Sequence, residues 1–215
     1  MTSVPTPTTR NEPRAALVRR GMRLNYLTIG YNMLEAAASL VAGLRAGSVA
    51  LVGFGFDSVI EVSASLAAQW RLRVDHSQHR ERVERVTRRI VGSCFVLLAI
   101  YITYDGIRSL WGREAPAQSV FGIVVLALSV VVMPVLARAK RRVAHALSSR
   151  ALAGEAAQTS ICAYLSAIAL AGLLLNAAVG WWWADPVAAL MMVPIIAKEG
   201  LEGLRGDGCV DDCCA

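Results

Sequence analysis

The stretch Gly47-Ser48-Val49-Ala50-Leu51-Val52-Gly53-Phe54-Gly55-Phe56-Asp57-Ser58-Val59-Ile60-Glu61 sets two carboxylates four residues apart inside an apolar run. At about 100° per residue, Asp57 and Glu61 share one helix face. A charged side chain at bilayer depth costs at least about 2.5 kcal/mol on insertion scales. Two on one face therefore call for a compensating ligand.

A second stretch, Ser149-Arg150-Ala151-Leu152-Ala153-Gly154-Glu155-Ala156-Ala157-Gln158-Thr159-Ser160-Ile161-Cys162, repeats the layout: a polar start, then metal-capable side chains at the mouth of an apolar helix. Glu155, Gln158 and Cys162 fall on one face. Two such helices facing each other would make a cage of oxygen and sulfur.

Hydrophobic residues make up 55% of the chain and charged ones only 18%, and the apolar residues fall in long blocks. That describes an all-α polytopic membrane protein. Six apolar segments, Leu24 to Leu44, Ser48 to Trp70, Ile90 to Leu110, Ser119 to Ala137, Leu152 to Val179 and Pro186 to Leu204, each approach the roughly 20 residues a spanning helix needs. Pro134 and Pro194 are expected to kink the fourth and sixth.

The net charge of +6 would suggest nucleic acid in a water-soluble chain. Here the basic residues crowd beside the apolar runs, which argues against nucleic acid and for orientation. Arg14, Arg19, Arg20 and Arg23 precede the first segment, seven arginines fill residues 71–89 after the second, and Arg138, Lys140, Arg141 and Arg142 follow the fourth. The opposite connections carry Arg45, Arg113 and none in Gly180-Trp181-Trp182-Trp183-Ala184-Asp185. Both termini are therefore expected in the cytoplasm, with the tryptophans in an outer-interface belt. The six-transmembrane-helix bundle spans residues 24–205. Residues 1–23 read as a disordered basic tail and 206–215 as a Cys/Asp-rich tail.

Lesser features have weaker readings. Asn32 and Glu35 lie one turn apart in the first segment, where Glu35 either lines a pathway or sits protonated and paired. Asp105 and Arg108 are expected to pair locally, and Cys94 to be a small buried residue. Asp75, His76 and His79 have a spacing that metal could use, although a polar loop collects such residues by chance. Cys209, Cys213 and Cys214 suit metal capture better than disulfides in a reducing compartment. No glycine-rich phosphate loop, Ser/His/Asp set or paired-histidine hydrolase motif appears, so nothing supports an enzyme.

With these residues in place, the chain resembles the cation diffusion facilitator family of six-helix metal transporters. The run Gly47-Ser48-Val49-Ala50-Leu51 matches the start of the family's second helix, and Asp57 and Glu61 fall on its two ligand positions. Ser149, Ala151, Leu152 and Glu155 match the start of the fifth, where Gln158 and Cys162 replace the usual His and Asp. Tyr104-Asp105-Gly106-Ile107-Arg108 and Gly180-Trp181-Trp182-Trp183-Ala184-Asp185-Pro186 agree as well.

The resemblance implies proton-coupled efflux of a divalent cation by alternating access from a homodimer. Asp57, Glu61 and Cys162 would be the ligands, Gln158 a weak one, and Glu155 an auxiliary one. Thiolate with carboxylates favours Zn2+, then Cd2+, Co2+, Fe2+ or Mn2+, over Mg2+ and Ca2+. Small size and Ala/Arg-rich composition suggest a bacterial inner (plasma) membrane. The family also leads one to expect a cytoplasmic domain of about 80 residues, where this sequence has only residues 206–215. The altered fifth-helix ligands leave a competing reading, a membrane metal sensor or partner-binding subunit that moves no ion.

Overall fold

The computed structural model describes residues 8–72, 77–113, 116–147 and 150–205. They form six helices and no strand: α1 Thr8–Ala46, α2 Val49–Leu72, α3 Ser77–Gly112, α4 Val120–Leu147, α5 Arg150–Val179 and α6 Ala184–Arg205. Each of the six apolar segments lies within one helix or one residue outside it. The early starts at Ser48 and Ser119 are N-caps: Ser48 Oγ accepts from the Leu51 amide at 3.1 Å, and Ser119 Oγ from the Gly122 amide at 3.1 Å.

The helices overrun the apolar segments at the basic end. α1 begins at Thr8, well inside the stretch expected to be a disordered tail. α3 begins at Ser77, so much of the expected loop between the second and third segments is helical too. The reason is local: Ala, Arg, Glu and Leu are good helix formers, and a helix already nucleated in the apolar segment extends through them at little cost. Thirty-nine residues make α1 about 58 Å long, against roughly 30 Å of hydrocarbon. Its extension packs on the bundle, with Gly21 against Leu152 and Val143. Pro134 and Pro194 lie inside α4 and α6, and neither breaks its helix.

Among the described residues, five helices are long and apolar enough to cross a membrane, α1 to α5. The sixth carries Asp185, Lys198, Glu199, Glu202 and Arg205 at its ends, but its 22 residues still reach about 33 Å. α6 owes its place to packing. Gly92 of α3 meets Gly200 and Gly203 of α6 so closely that a β-carbon on Gly92 would stand 2.8 Å from the Gly200 carbonyl oxygen. This is the small-residue contact by which membrane helices approach when water supplies no driving force.

α2 occupies the centre, with Ala50, Leu51 and Phe54 fully buried and neighbours in α1, α3, α5 and α6. Gly53 admits Ile102 of α3, and Gly55 admits Leu40 of α1. Polarity is distributed inside out. Leu34, Leu44, Tyr104, Val120 and Val131 face outward, while Asn25, Thr28, Asn32, Glu35 and Ser39 make a buried stripe down α1 at steps of three and four. A bilayer-facing exterior with a polar interior is the arrangement of a bundle built around a pathway.

Candidate metal site

Two sequence motifs at the end opposite the basic one turn out to hold each other. Gly47, at φ +67°, makes the left-handed turn that ends α1 and lets the Ser48 amide reach back to the Gly43 carbonyl at 3.0 Å. Ser48 then donates its hydroxyl to Asp185 Oδ1 at 2.6 Å, and the Val49 amide donates to Asp185 Oδ2 at 2.9 Å. A carboxylate from the start of α6 thus caps α2, where the helix dipole favours negative charge. Gly180, at φ +73°, closes the corresponding turn after α5. The role of the Gly-Ser and Ala-Asp-Pro signatures here is to fix α2 against α6.

Asp57 and Glu61 follow on α2, both buried, at 3% exposure each. Cys162 of α5 is equally enclosed, near enough to Asp57 and Glu61 to interact with both electrostatically. Glu35 of α1 joins them. It accepts from Ser58 at 2.9 Å, and Cys162 Sγ lies 3.9 Å from the same Oε2. Helices α1, α2 and α5 therefore bring three carboxyls and one thiol into one buried group. As they stand, the side chains are engaged with one another and with hydroxyls. Among the described residues, no three His, Cys, Asp or Glu side chains are gathered into a set ready to hold an ion.

Two carboxylate oxygens in this interior, Glu35 Oε1 and Glu61 Oε2, accept no hydrogen bond. A buried acceptor left unmatched costs on the order of 1–3 kcal/mol. Such atoms are where a cation would find ligands at no further desolvation cost.

Toward the basic end the fifth-helix residues divide. Thr159, rather than Gln158, bonds to Glu61, donating to Oε1 at 2.8 Å. Gln158 is half-buried, and its Nε2 makes no hydrogen bond. Glu155 pairs with Lys140 of α4, Nζ to Oε2 at 3.5 Å. Lys140 also donates to Thr159 Oγ1 at 3.2 Å. It is wholly buried, which sets it apart from the arginines beside it in the basic run after the fourth segment.

Two other expectations fail. Cys94 is exposed rather than buried, because its side of α3 faces outward. Asp105 accepts from Tyr101 one turn back at 3.4 Å, so its contact is not Arg108. Asp75 and His76, the side chain of His79, and Cys209, Cys213 and Cys214 lie outside the described residues.

The residues missed in the sequence are Thr159, Lys140 and the greater part of the α1 stripe. The stripe had a signal, since Asn25, Thr28, Asn32, Glu35 and Ser39 recur at helical spacing within an apolar segment. Lys140 had none, standing among Arg138, Arg141 and Arg142.

Comparison with known proteins identifies the family. The chain is 28% identical over 169 residues to the magnetosome protein MamB of Paramagnetospirillum magneticum, covering 75% of this chain and 57% of that one. It is 26% identical over 176 residues to the cation-efflux pump FieF of Shewanella oneidensis, covering 76% and 57%. Against transmembrane protein 163 of Xenopus laevis it is 28% identical over 134 residues, covering 62% and 48%. The chain thus spans a little over half the length of the bacterial relatives. Residues 26–206 match the cation efflux transmembrane domain, and with α2 to α6 and most of α1 inside that match the chain belongs to the cation diffusion facilitator family.

Proposed function

We propose that this protein carries a divalent metal cation, Zn2+ first among candidates, through the bundle in exchange for protons. The observation that carries the reading is the buried meeting of Asp57, Glu61, Glu35 and Cys162 from three helices. Asp57, Glu61 and Cys162 are the core ligands, and Glu35 takes the fourth place that the sequence motif gave to Gln158. Gln158 and Glu155 stand nearer the basic end and act on the approaching ion. The name of the FieF relative, a cation-efflux pump, points the same way.

The ligand set selects the metal. A thiolate with carboxylates suits Zn2+ and Cd2+, with Co2+, Fe2+ or Mn2+ behind, and disfavours Mg2+ and Ca2+. Carboxylic acid and thiol must give up their protons to bind a metal, so ions and protons occupy the same atoms by turns. Coupled to access alternating between the two membrane faces, this makes an antiporter, working as a homodimer in the plasma membrane of a bacterium.

The test is zinc flux into proteoliposomes of purified protein with a pH dye inside. Native protein moves zinc and protons in opposite directions. Asp57→Ala moves zinc at less than about a tenth of the native rate while still folding, given a loss of at least one charge-assisted contact. Native-rate flux by Asp57→Ala refutes the site.

A second reading, a sensor that binds metal without moving it, draws on one observation: the carboxyls and thiol are engaged with neighbours rather than arranged around a single point. Saturable zinc binding with no flux would select it.

A further inference from the structure

Lys140 is a buried ammonium without a role in the reading above. Its position follows from the helices around it. α4 and α5 run antiparallel, so residue 140, near the basic end of α4, lies beside residues 155–159 near the start of α5. Cys162 lies seven residues beyond Glu155, about 10 Å further into the bundle. On α2, which runs the other way, Glu61 is nearer the basic end than Asp57. The polar interior is therefore tiered. Glu35, Asp57 and Cys162 are innermost, Glu61 with Thr159 comes next, and Lys140 with Glu155 is closest to the basic, cytoplasm-facing end.

Three observations bear on Lys140. The side chain is completely buried, its stem enclosed with its charge. Its Nζ contacts Thr159 Oγ1 at 3.2 Å and Glu155 Oε2 at 3.5 Å. Thr159 passes that contact on, donating to Glu61 Oε1 at 2.8 Å, so the ammonium and the Glu61 carboxylate are joined through one hydroxyl. A hydroxyl that accepts from a cation and donates to an anion is polarised in both bonds, and each strengthens the other. Arg141 makes a separate contact between α4 and α5, its Nη2 3.1 Å from Ser160 Oγ.

We infer that Lys140 is a tethered cation that stands in the approach from the cytoplasm to Glu61 and Cys162, and that an arriving metal ion must displace it. The inference rests on the transport reading for the identity of the ion, though not for the obstruction. An ammonium held by the Glu155 carboxylate and linked to Glu61 through the Thr159 hydroxyl raises the cost of approach and keeps charge balanced at this tier between transport events. It also biases the site toward double charge, because a singly charged ion gains nothing by replacing another.

The obstruction can be measured without any metal. Cys162 is the reporter, in a full-length chain carrying C94S, C209S, C213S and C214S, with a small charged methanethiosulfonate applied to the cytoplasmic face of inside-out vesicles. Lys140→Gln should raise the labelling rate of Cys162 at least about tenfold over Lys140, because a charge-assisted junction is lost, and Lys140→Arg should leave it near native. Thr159→Val, which cuts the link to Glu61 but keeps the Glu155 pair, should give an intermediate rate and serves if Lys140→Gln does not fold.

Labelling of folded Lys140→Gln within about twofold of native overturns the proposal. So does native-rate labelling in Thr159→Val if Lys140→Gln does not fold. Zinc titration of the same proteins gives the second readout: displacement requires Lys140→Gln to bind zinc more tightly than native, and weaker binding overturns it. If native protein binds and moves no divalent ion, the transport reading fails, and the labelling rates alone decide whether Lys140 obstructs.

Discussion

At the scale of single residues, Cys162 departs most from what a cation site of carboxylates and imidazoles would contain, and it makes the sharpest prediction. Replacing sulfur by oxygen in Cys162→Ser keeps the size and removes the soft ligand. Cadmium affinity should fall by at least about tenfold while manganese affinity stays within a few-fold, as hard ions prefer oxygen. Competition binding on purified protein checks this, and an equal loss for both metals would take the thiol out of the ligand set. The burial of Asp57, Glu61 and Cys162 within the bundle was legible in the sequence because an acid or a paired polar residue within an apolar run is anomalous. Thr159 was not legible, since a hydroxyl can satisfy itself on the preceding turn, and the Glu155 carbonyl, 2.9 Å from Thr159 Oγ1, competes with Glu61 for its one proton. Lys140 hid for the opposite reason: a cation in a run of cations looks like a surface charge until its helix is rotated into the bundle.

The helix scale concerns capping and close approach. Asp185→Ala removes both bonds to the start of α2 and leaves the Ser48 hydroxyl without its acceptor. The expected loss is about 2 kcal/mol, from a charged cap with a buried donor exposed. Ser48→Ala should cost less, about 1 kcal/mol. Thermal unfolding in detergent measures both. Two glycines predict opposite outcomes. Gly200→Leu must push α6 from α3, since a β-carbon there meets the Gly92 carbonyl oxygen at 3.0 Å, whereas Gly154→Ala meets nothing within 4 Å. The first should abolish a folded monodisperse protein in gel filtration, and the second should stabilise α5 by up to about 1 kcal/mol. The segments were readable because apolar length decides a span. Their extensions at the basic end were not, because hydropathy stops there while helix propensity, carried by residues such as Ala15, Leu17 and Arg19, does not.

For the molecule as a whole, the arginine asymmetry assigns an orientation that two cysteines can test. Gln118→Cys, at the turn before α4, should be labelled from outside the cell, and His145→Cys, near the far end of the same helix, only after permeabilisation. Both positions are exposed. Labelling of both from one side would mean that α4 does not span, and labelling of His145→Cys alone from outside would invert the topology. The packing of α6 already bears on how such a bundle can rearrange. Where Gly92 lies on Gly200 and Gly203, no side chains intervene whose rotamers could switch to let one helix advance past the other. α3 and α6 must then travel as a single strut. Relative sliding is left to the faces where Ile102 seats in Gly53 and Leu40 in Gly55, around the helix that carries Asp57 and Glu61.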